Sequence, residues 1–429
     1  MKRLTVDLVE IVKDISECAD LVSSIFNKHH RRVACIALNI AQYMDLSLEE
    51  KRDLVLASLL HDVGALSVKE RFRYLEFESN FEDKGLCNHA ELGYRLFKGF
   101  RPFSFLATLI RYHHTYYKDL QNDALPISAY ILHLADRVSI LMRDEKEILG
   151  QTDFIKERIK SQKGRMFSPD AVDGFLEASS KESFWFDAIY LPLETLIDEN
   201  SLYLSTALDI DELMSLAWVF HRLIDFRSRF TSSHSCGVSA TSSILARLYS
   251  FSEEEIKLME VAGHLHDIGK IAIPIDILEK PGRLTEEEFN IMKSHVYYSY
   301  RILGKVKGFE TINTWASLHH ERLDGSGYPF KLKEEYIPLG SRIMMVADVF
   351  NALTEDRPYR KGLSVYEALS HIRDLTSNNK LDRDVFIKLK NNLVDISEML
   401  IGIKKNALEN YAKFYSDIER SESYATNME

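Results

Sequence analysis

The sequence is poor in residues that interrupt helices, because only 18 glycines and 9 prolines occur among its 429 residues. Leu, Ile, Glu and Lys recur throughout, and this composition favours helices over sheets. No apolar run is long enough to span a bilayer, and acidic residues interrupt the first segment where a signal peptide needs a continuous apolar core. We therefore expect a cytoplasmic, helical protein without a membrane partner.

Cysteines and excess positive charge are also scarce. The four cysteines, Cys18, Cys35, Cys87 and Cys236, are scattered and form no CxxC pair, so we expect free thiols in a reducing compartment. The formal net charge of −11 argues against a polynucleotide partner, since coating a polynucleotide requires massed Lys and Arg. A small anionic ligand held by a few local cations remains compatible with this charge.

The chain is too long for one ordinary core, and its histidines are spaced alike in both halves. Intervals of 32, 28 and 24–25 residues separate them in the N-terminal half, against 32, 29 and 24–25 in the C-terminal half. A repeat of this length indicates two copies of one domain rather than a solenoid. The helical pattern breaks near residues 195–205, so we predict an all-α protein with tandem domains at 1–198 and 199–429.

Local helix signals occur near the start of the chain. Residues 1–28 have amphipathic helical spacing, and Ser47 with Glu50 is a candidate capping box.

The most informative stretch is Gly263–Lys270, GHLHDIGK, where His266 directly precedes Asp267. A carboxylate can bridge two metals while the imidazole ligates one of them, although a lone His-Asp pair is more often a polar network at a helix end. Here one further histidine precedes the pair, and three histidines and an aspartate follow it, on separate predicted helices. We interpret them as one dinuclear site, with His234, His266, Asp267 and Asp348 at one metal, Asp267 bridging, and His295, His319 and His320 at the other.

Ligands of this type indicate the chemistry of the site. Imidazole and carboxylate without thiolate suit iron, manganese, nickel or zinc. Two such ions roughly 3.5–4 Å apart supply a nucleophile and stabilise charge on a phosphoryl group. Lys270 follows Asp267 by three positions and would neutralise a phosphate oxygen or help to protonate the leaving alkoxide. On its own such a lysine is more often a solvated cation at a helix end. Beside this ligand set, we predict catalytic roles for Asp267 and Lys270.

The C-terminal copy also carries an insertion between His320 and Asp348. The motifs HDIGK, HHERLDGSGYP and VADVFNALTEDRPYR follow one another in this half. Together with the spaced histidines they resemble the HD-GYP branch of HD-domain phosphohydrolases, over about residues 205–405. The resemblance implies a helical bundle that hydrolyses a cyclic dinucleotide, either cyclic di-GMP or cyclic GMP-AMP, to the linear dinucleotide or further to mononucleotides.

The same resemblance assigns substrate contacts and a metal count. It implies that substrate is bound by Lys270, Tyr328, Arg357 and Arg360. Arginine suits this role because guanidinium pairs with phosphate through parallel hydrogen bonds. Some members have a glutamate that permits a third metal, and this chain has Phe230 there, so we expect two divalent ions. Gly237 stands where the family usually has an arginine, which removes no ligand but leaves the base preference open.

The N-terminal copy resembles the general HD superfamily over roughly residues 18–195. It keeps every ligand type in order, as a second candidate metal site formed by His29, His61, Asp62, His89, His113, His114 and Asp136. However, Ala65 replaces the lysine, and both the Gly-Tyr-Pro loop and the RPYR motif are missing. We expect a regulatory or dimerising domain, with a homodimer formed through it, ahead of a phosphohydrolase with another substrate or a relic that binds metal structurally.

Three hypotheses of function follow from these motifs. The main one is a metal-dependent phosphodiesterase for a cyclic dinucleotide, with catalysis in the C-terminal domain. The alternative from a different class is a receptor that senses a nucleotide or oxygen through its metals and signals without turnover. The third is hydrolysis of nucleoside phosphates by the N-terminal copy.

Overall fold

The structure is a computed structural model, and it describes residues 3–20, 28–65, 88–119, 125–225, 232–356 and 361–426. Most of the described residues are helical and almost none lie in strands, so the predicted all-α fold is confirmed. The chain divides into two compact units, residues 7–205 and residues 1–6 with 206–429. Within the described ranges, no helix is long and apolar enough to cross a membrane.

The first unit is a bundle whose α-helices are α1 (Leu8–Asp20), α2 (His29–Ala41), α3 (Leu48–Leu60), α4 (Asn88–Phe97), α5 (Ser104–Tyr112), α6 (Ile127–Leu141), α7 (Thr152–Lys160), α8 (Pro169–Ala178), α9 (Glu182–Tyr190) and α10 (Leu193–Glu199). Helix α2 packs against α3 and α6, and α3 also packs against α5. Helix α6 is buried on nearly every side, as its apolar sequence requires, and this burial places Asp136 in the interior.

The second unit repeats this plan with α11 (Ile210–Asp225), α12 (Ser232–Leu248), α13 (Glu253–Leu265), α14 (Ile275–Leu278), α15 (Glu286–Gly304), α16 (Glu310–Ser317), α17 (Leu339–Thr354), α18 (Val365–Ser377), α19 (Arg383–Asn391) and α20 (Leu393–Thr426). Helix α12 packs against α13, α17 and α20. Helix α17 is the buried helix of this unit and carries Asp348. A short 3₁₀ helix, Ile268–Ala272, follows the His-Asp pair and packs on α15.

Capping boxes fix the start of the helix that ends at the His-Asp pair in each unit. The Ser47 hydroxyl accepts a hydrogen bond from the Glu50 backbone N–H at 3.2 Å, and the Glu50 carboxylate accepts one from the Ser47 N–H at 2.9 Å. The predicted capping box is therefore confirmed. Ser252 and Glu255 form the same box at the start of α13. The histidines His61 and His266 occupy the C-cap positions of these two helices.

A two-stranded sheet is the one departure from helix in the chain start. Leu4 and Val6 fit the helical spacing of residues 1–28, yet Leu4–Asp7 forms strand β1, which pairs with β2 (Ser205–Leu208). The β-branched residues Thr5 and Val6 favour the extended conformation, and the helix begins only at Leu8.

Candidate metal centre

Seven predicted ligands of the C-terminal copy converge on one point of the second unit, although they come from five separate parts of the chain. His234 lies on α12, His266 and Asp267 end α13, His295 lies on α15, His319 and His320 follow α16, and Asp348 lies on α17. Six of these side chains are buried, and His320 is half-buried. They form two groups, each with its ligand atoms within 4.8 Å of one another: His234, His266 and Asp348, and His295, His319 and His320.

Asp267 lies between the two groups and turns one carboxylate oxygen to each. Its Oδ2 is 3.2 Å from His266 Nε2 and 4.0 Å from His234 Nε2. Its Oδ1 is 3.2 Å from His295 Nε2 and 3.9 Å from His319 Nε2. This is the arrangement that a carboxylate bridging two metal ions requires.

The orientation of three histidines shows that a cation fits between these atoms. Nδ1 of His266, His295 and His319 each donates a hydrogen bond to the backbone carbonyl three residues earlier, at 2.6–2.8 Å. The proton therefore sits on Nδ1, and the Nε2 lone pair points into the site. These Nε2 atoms are buried and have no hydrogen-bond partner among the described residues. Lone pairs that face carboxylate oxygens repel one another unless a cation lies between them, so the donor set fits a divalent metal.

The electrostatics of the site keep its ligands in the forms that bind metal. Burial alone would raise the pKa of Asp267, but His266 and Lys270 outweigh it and hold that pKa well below its usual range. The pKa of Asp348 is also well below its usual range, because its hydrogen bond with His234 overcomes the effect of burial. Burial, assisted by His266, lowers the pKa of His319 to about 3. The carboxylates are therefore ionised and this imidazole is neutral at pH 7.

Lys270 reaches the bridging carboxylate directly. Its Nζ lies 2.5 Å from Asp267 Oδ2, and its side chain is 11% exposed. A lysine that points to solvent from a helix end would be far more exposed, so the geometry agrees with the predicted orientation into the cleft. Lys270 thus contacts Asp267 Oδ2, the oxygen that faces the group of His234, His266 and Asp348.

The Gly-Tyr-Pro loop folds back over the second group. The Tyr328 ring stacks on the His320 ring with centroids 4.9 Å apart, and the Tyr328 backbone N–H donates to the His320 carbonyl at 3.2 Å. Gly327 approaches the backbone so closely that a Cβ would lie 2.4 Å from Glu321 Cα and from Arg322 N. Any other residue would move the loop, so the glycine holds Tyr328 over the site.

Glu321 is a residue of the loop that the sequence analysis missed. It is fully buried, and its carboxylate accepts hydrogen bonds from the backbone N–H groups of Phe330, at 2.7 Å, and Leu332, at 2.9 Å. A buried carboxylate that accepts two such bonds fixes the segment after Tyr328. Its position directly after His319 and His320 was the available signal.

Glu355 and Lys404 are two further residues to which the sequence analysis gave no role, although Glu355 lies within the motif VADVFNALTEDRPYR. Glu355 Oε2 is 2.9 Å from Nδ1 of His234, and Lys404 Nζ is 3.0 Å from Glu355 Oε1. A carboxylate on Nδ1 orients a ligating histidine and raises its basicity. A Cβ on Gly237 would lie 2.3 Å from Asn351 Oδ1 and 3.2 Å from Lys404 Cε, so an arginine at that position would displace both groups.

Four residues discussed above lie outside the described residues. They are Arg357 and Arg360, predicted to bind substrate, Phe230, used to predict the number of metals, and Cys87, predicted to be a free thiol. Their roles remain predictions.

The first unit contains the same double group. His29, His61 and Asp136 form one cluster, and Asp62, His89, His113 and His114 form the other. The bridging position is taken by Asp62, whose Oδ2 is 3.6 Å from His61 Nε2 and whose Oδ1 is 3.4 Å from His89 Nε2. Burial alone would lower the pKa of His61, but Asp62 and Asp136 raise it to about 9.

The surroundings of the two centres differ. Nδ1 of His29 lies 3.0 Å from the Ser139 hydroxyl, where His234 of the other copy meets a carboxylate. Ala65 is buried where the second unit has Lys270. At these two positions, the first unit therefore has an uncharged group where the second unit has a charged one.

Comparison with known proteins agrees with this duplicated site. An HD-domain family model matches residues 26–141, and a second HD-domain model matches residues 218–385. The 3'3'-cGAMP-specific phosphodiesterase 1 of Vibrio cholerae is 33% identical over 388 residues, which cover 87% of this chain and 88% of that protein. The chain belongs to the HD-domain family. The resemblance to the HD-GYP branch, inferred from the motifs, is thereby confirmed.

One further relative of this HD-domain protein matches a shorter segment, and one solved structure matches most of the chain. The cyclic di-GMP phosphodiesterase response regulator RpfG of Xanthomonas campestris is 44% identical over 153 residues, 35% of this chain and 40% of that protein. The crystal structure of a cyclic GMP-AMP-specific phosphodiesterase of V. cholerae, V-cGAP3, covers 91% of this chain and 98% of its own with a TM-score of 0.60 and 22% identity. That likeness shows that the two chains share a fold.

Proposed function

We propose that this HD-domain protein is a metal-dependent phosphodiesterase that hydrolyses a cyclic dinucleotide in its second unit. The observation that supports this most strongly is the position of Asp267, which presents one carboxylate oxygen to each of two histidine groups. Lys270 Nζ lies 2.5 Å from one of these oxygens, Oδ2. Three relatives, which match 87%, 35% and 50% of the chain, are phosphodiesterases for 3'3'-cGAMP or cyclic di-GMP by name.

The proposed centre holds two divalent ions of iron, manganese, nickel or zinc. His234, His266 and Asp348 would hold one, His295, His319 and His320 the other, and Asp267 would hold both. Bound there, the ions supply a nucleophile at neutral pH and stabilise charge that develops on the phosphoryl group. Metal analysis of the purified protein by mass spectrometry tests the number and the identity of the ions.

The residues around the centre have separate tasks in this proposal. Lys270, whose Nζ lies 2.5 Å from Asp267 Oδ2, pairs with a non-bridging phosphate oxygen or protonates the departing 3′-oxygen. Tyr328 stacks on His320 and covers one side of the substrate site. Arg357 and Arg360 would pair with the second phosphate of the cyclic substrate.

The two bridging aspartates form a matched pair for the decisive experiment. Asp267→Asn and Asp62→Asn make the same change in the two copies, and both residues lie between two histidine groups. Turnover of cyclic di-GMP and of 3'3'-cGAMP by metal-loaded protein is expected to disappear in Asp267→Asn and to survive in Asp62→Asn. No product from either substrate with wild-type protein that is shown to hold metal would refute the proposal. Comparison of the two rates decides which substrate is preferred, and the products show whether cleavage continues to mononucleotides.

For the first unit we propose a regulatory role, exerted through a homodimer. The support is a retained ligand set beside Ala65 and Ser139, which supply no charge for a phosphate. Asp62→Asn is then expected to change the assembly state or the response of the second unit to metal, measured by light scattering and steady-state kinetics. Unchanged assembly and kinetics would contradict the regulatory role. Product that disappears in Asp62→Asn alone would instead favour hydrolysis by the first unit.

A receptor without turnover is the alternative that the site favours less. A receptor needs no lysine against the bridging carboxylate, and this chain has one. Tight binding of the nucleotide without hydrolysis would favour the receptor. A cytoplasmic location is part of the same proposal. Among the described residues, Cys18, Cys35 and Cys236 are buried and form no disulfide, which suits a reducing compartment.

A further inference from the structure

A third group of metal-ligating side chains lies in the second unit, apart from the dinuclear centre. His221 on α11, Cys236 on α12 and His264 on α13 are all buried, and their ligand atoms lie within 4.8 Å of one another. None of these three residues takes part in the proposed hydrolysis. The group is therefore not explained by the function proposed above.

The group lies on the opposite faces of the helices that bear the catalytic ligands. Cys236 follows His234 by two residues, and His264 precedes His266 by two. Residues two apart on an α-helix point in nearly opposite directions, because each residue turns the helix by roughly 100°. The same pair of helices, α12 and α13, thus presents ligands to the dinuclear centre on one side and to this group on the other.

The geometry already approaches that of a coordination sphere. Cys236 Sγ and His221 Nε2 are 3.4 Å apart. A tetrahedral ion bound at roughly 2.0–2.3 Å places its ligand atoms about 3.5 Å from one another. Nδ1 of His264 is buried and has no hydrogen-bond partner among the described residues, and a buried imidazole nitrogen without a partner is costly. A metal ion would satisfy that nitrogen.

The ligand types indicate which ion the group would take. Two imidazoles and one thiol suit a borderline or soft transition ion such as Zn²⁺, and they disfavour the hard ions Mg²⁺ and Ca²⁺. Because the dinuclear centre contains no sulfur ligand, a metal–thiolate bond would be specific to this group. We propose that His221, Cys236 and His264 form a mononuclear site for a thiophilic divalent ion, which ties α11 to the two helices that carry His234 and His266.

Cobalt is the probe for this site, because Zn²⁺ has no visible spectrum whereas Co²⁺ bound to thiolate gives a near-ultraviolet charge-transfer band. Full-length protein is stripped of metal and titrated with Co²⁺. The band is expected in the wild type and in Asp267→Asn, and is expected to disappear in Cys236→Ser. Cys35→Ser is the matched control, since Cys35 is a buried free cysteine of the first unit, and it should leave the band unchanged.

A second measurement does not depend on the folding of the Cys236 variant. The Trp218 ring lies 4.6 Å from the His264 ring and 5.2 Å from the His221 ring. Co²⁺ bound to the group is expected to quench Trp218 fluorescence in the wild type and in Asp267→Asn, and Trp218→Phe should abolish this quenching. Absence of a thiolate band in wild-type protein, or an equally strong band in folded Cys236→Ser, would overturn the site. These readouts need no turnover. The proposed metal site can therefore be refuted while the proposed phosphodiesterase activity is confirmed, and the reverse.

Discussion

Replacement of Glu355 by glutamine removes the negative charge behind one catalytic ligand and keeps its shape. In the wild type, the Glu355 carboxylate lies 2.9 Å from Nδ1 of His234 and is held on its other oxygen by Lys404 at 3.0 Å. Glutamine keeps a carbonyl oxygen that can accept a hydrogen bond from His234 Nδ1–H, so the His234 ring keeps its orientation. What changes is the basicity of His234 toward a metal at Nε2.

The expected loss follows from this geometry. Changes to the hydrogen-bond partner of a ligating histidine typically weaken metal affinity or activity by about 10–100-fold. This corresponds to roughly 1.4–2.7 kcal/mol of binding free energy. Because Glu355 contacts His234, which belongs to the group of His234, His266 and Asp348, we expect the loss at the ion proposed for that group. An ion at His295, His319 and His320 should keep its affinity.

Competition with a chromophoric chelator measures the two affinities in Glu355→Gln and in the wild type. Lys405→Met is the matched control, since Lys405 neighbours Lys404 on α20 but pairs at 3.9 Å with Glu409 on the exposed surface. That variant should bind both ions as the wild type does, because exposed ion pairs contribute little. If Glu355→Gln held both ions within about twofold of wild-type affinity, the inferred role of Glu355 in orienting His234 and tuning its basicity would be wrong.

Three other changes test the loop, the titration of a buried acid and the capping boxes. Gly327→Ala is expected to displace the Gly-Tyr-Pro loop, because its Cβ would lie 2.4 Å from Glu321 Cα, and to raise KM for the dinucleotide with little loss of bound metal; unchanged KM would contradict this. Burial raises the pKa of Asp53 from 3.8 to about 6, so its protonated form stabilises the fold below pH 3.8 and this contribution is lost as the pH rises through 6. Asp53→Asn should therefore raise stability by about 1–2 kcal/mol at pH 7 after allowance for solvent screening, and should do so little at pH 4, as measured by thermal unfolding at both pH values. Ser47→Ala and Ser252→Ala should each destabilise by about 1 kcal/mol, and calorimetry would contradict the equivalence of the two boxes if only one variant lowered Tm.

The sequence predicted the helical class and the convergence of ligands because both depend on local patterns. Helix caps and apolar spacing are properties of short segments, and the histidine intervals recur in both halves of the chain. The repetition indicates that each set of histidines serves one site. Glu355 and Lys404 could not be found in this way. Lys404 comes from α20, far along the chain from His234, and only the packing of α20 on α12 brings them together. Likewise, His221 and Cys236 belong to no spaced motif, and their proximity follows from the packing of α11, α12 and α13.

The two copies share the ligand groups of a dinuclear centre but differ in the residues around those groups. Both present a bridging aspartate between two histidine groups, so ligand geometry alone does not distinguish them. They differ in the charges just outside that geometry. The second unit places Lys270 against Asp267 and a carboxylate behind His234, whereas the first has buried Ala65 and a neutral hydroxyl behind His29.

An anionic substrate gains most from a cation fixed where charge develops, because such a group is already oriented when the reaction begins. Lys270 is fixed in this way, since its ammonium lies 2.5 Å from the bridging carboxylate and its side chain is largely buried. At the positions that correspond to Lys270 and Glu355, the described part of the first unit has Ala65 and the Ser139 hydroxyl, which carry no charge. We therefore expect the first unit to respond to metal without turning over the substrate, as a regulatory domain beside a catalytic one would.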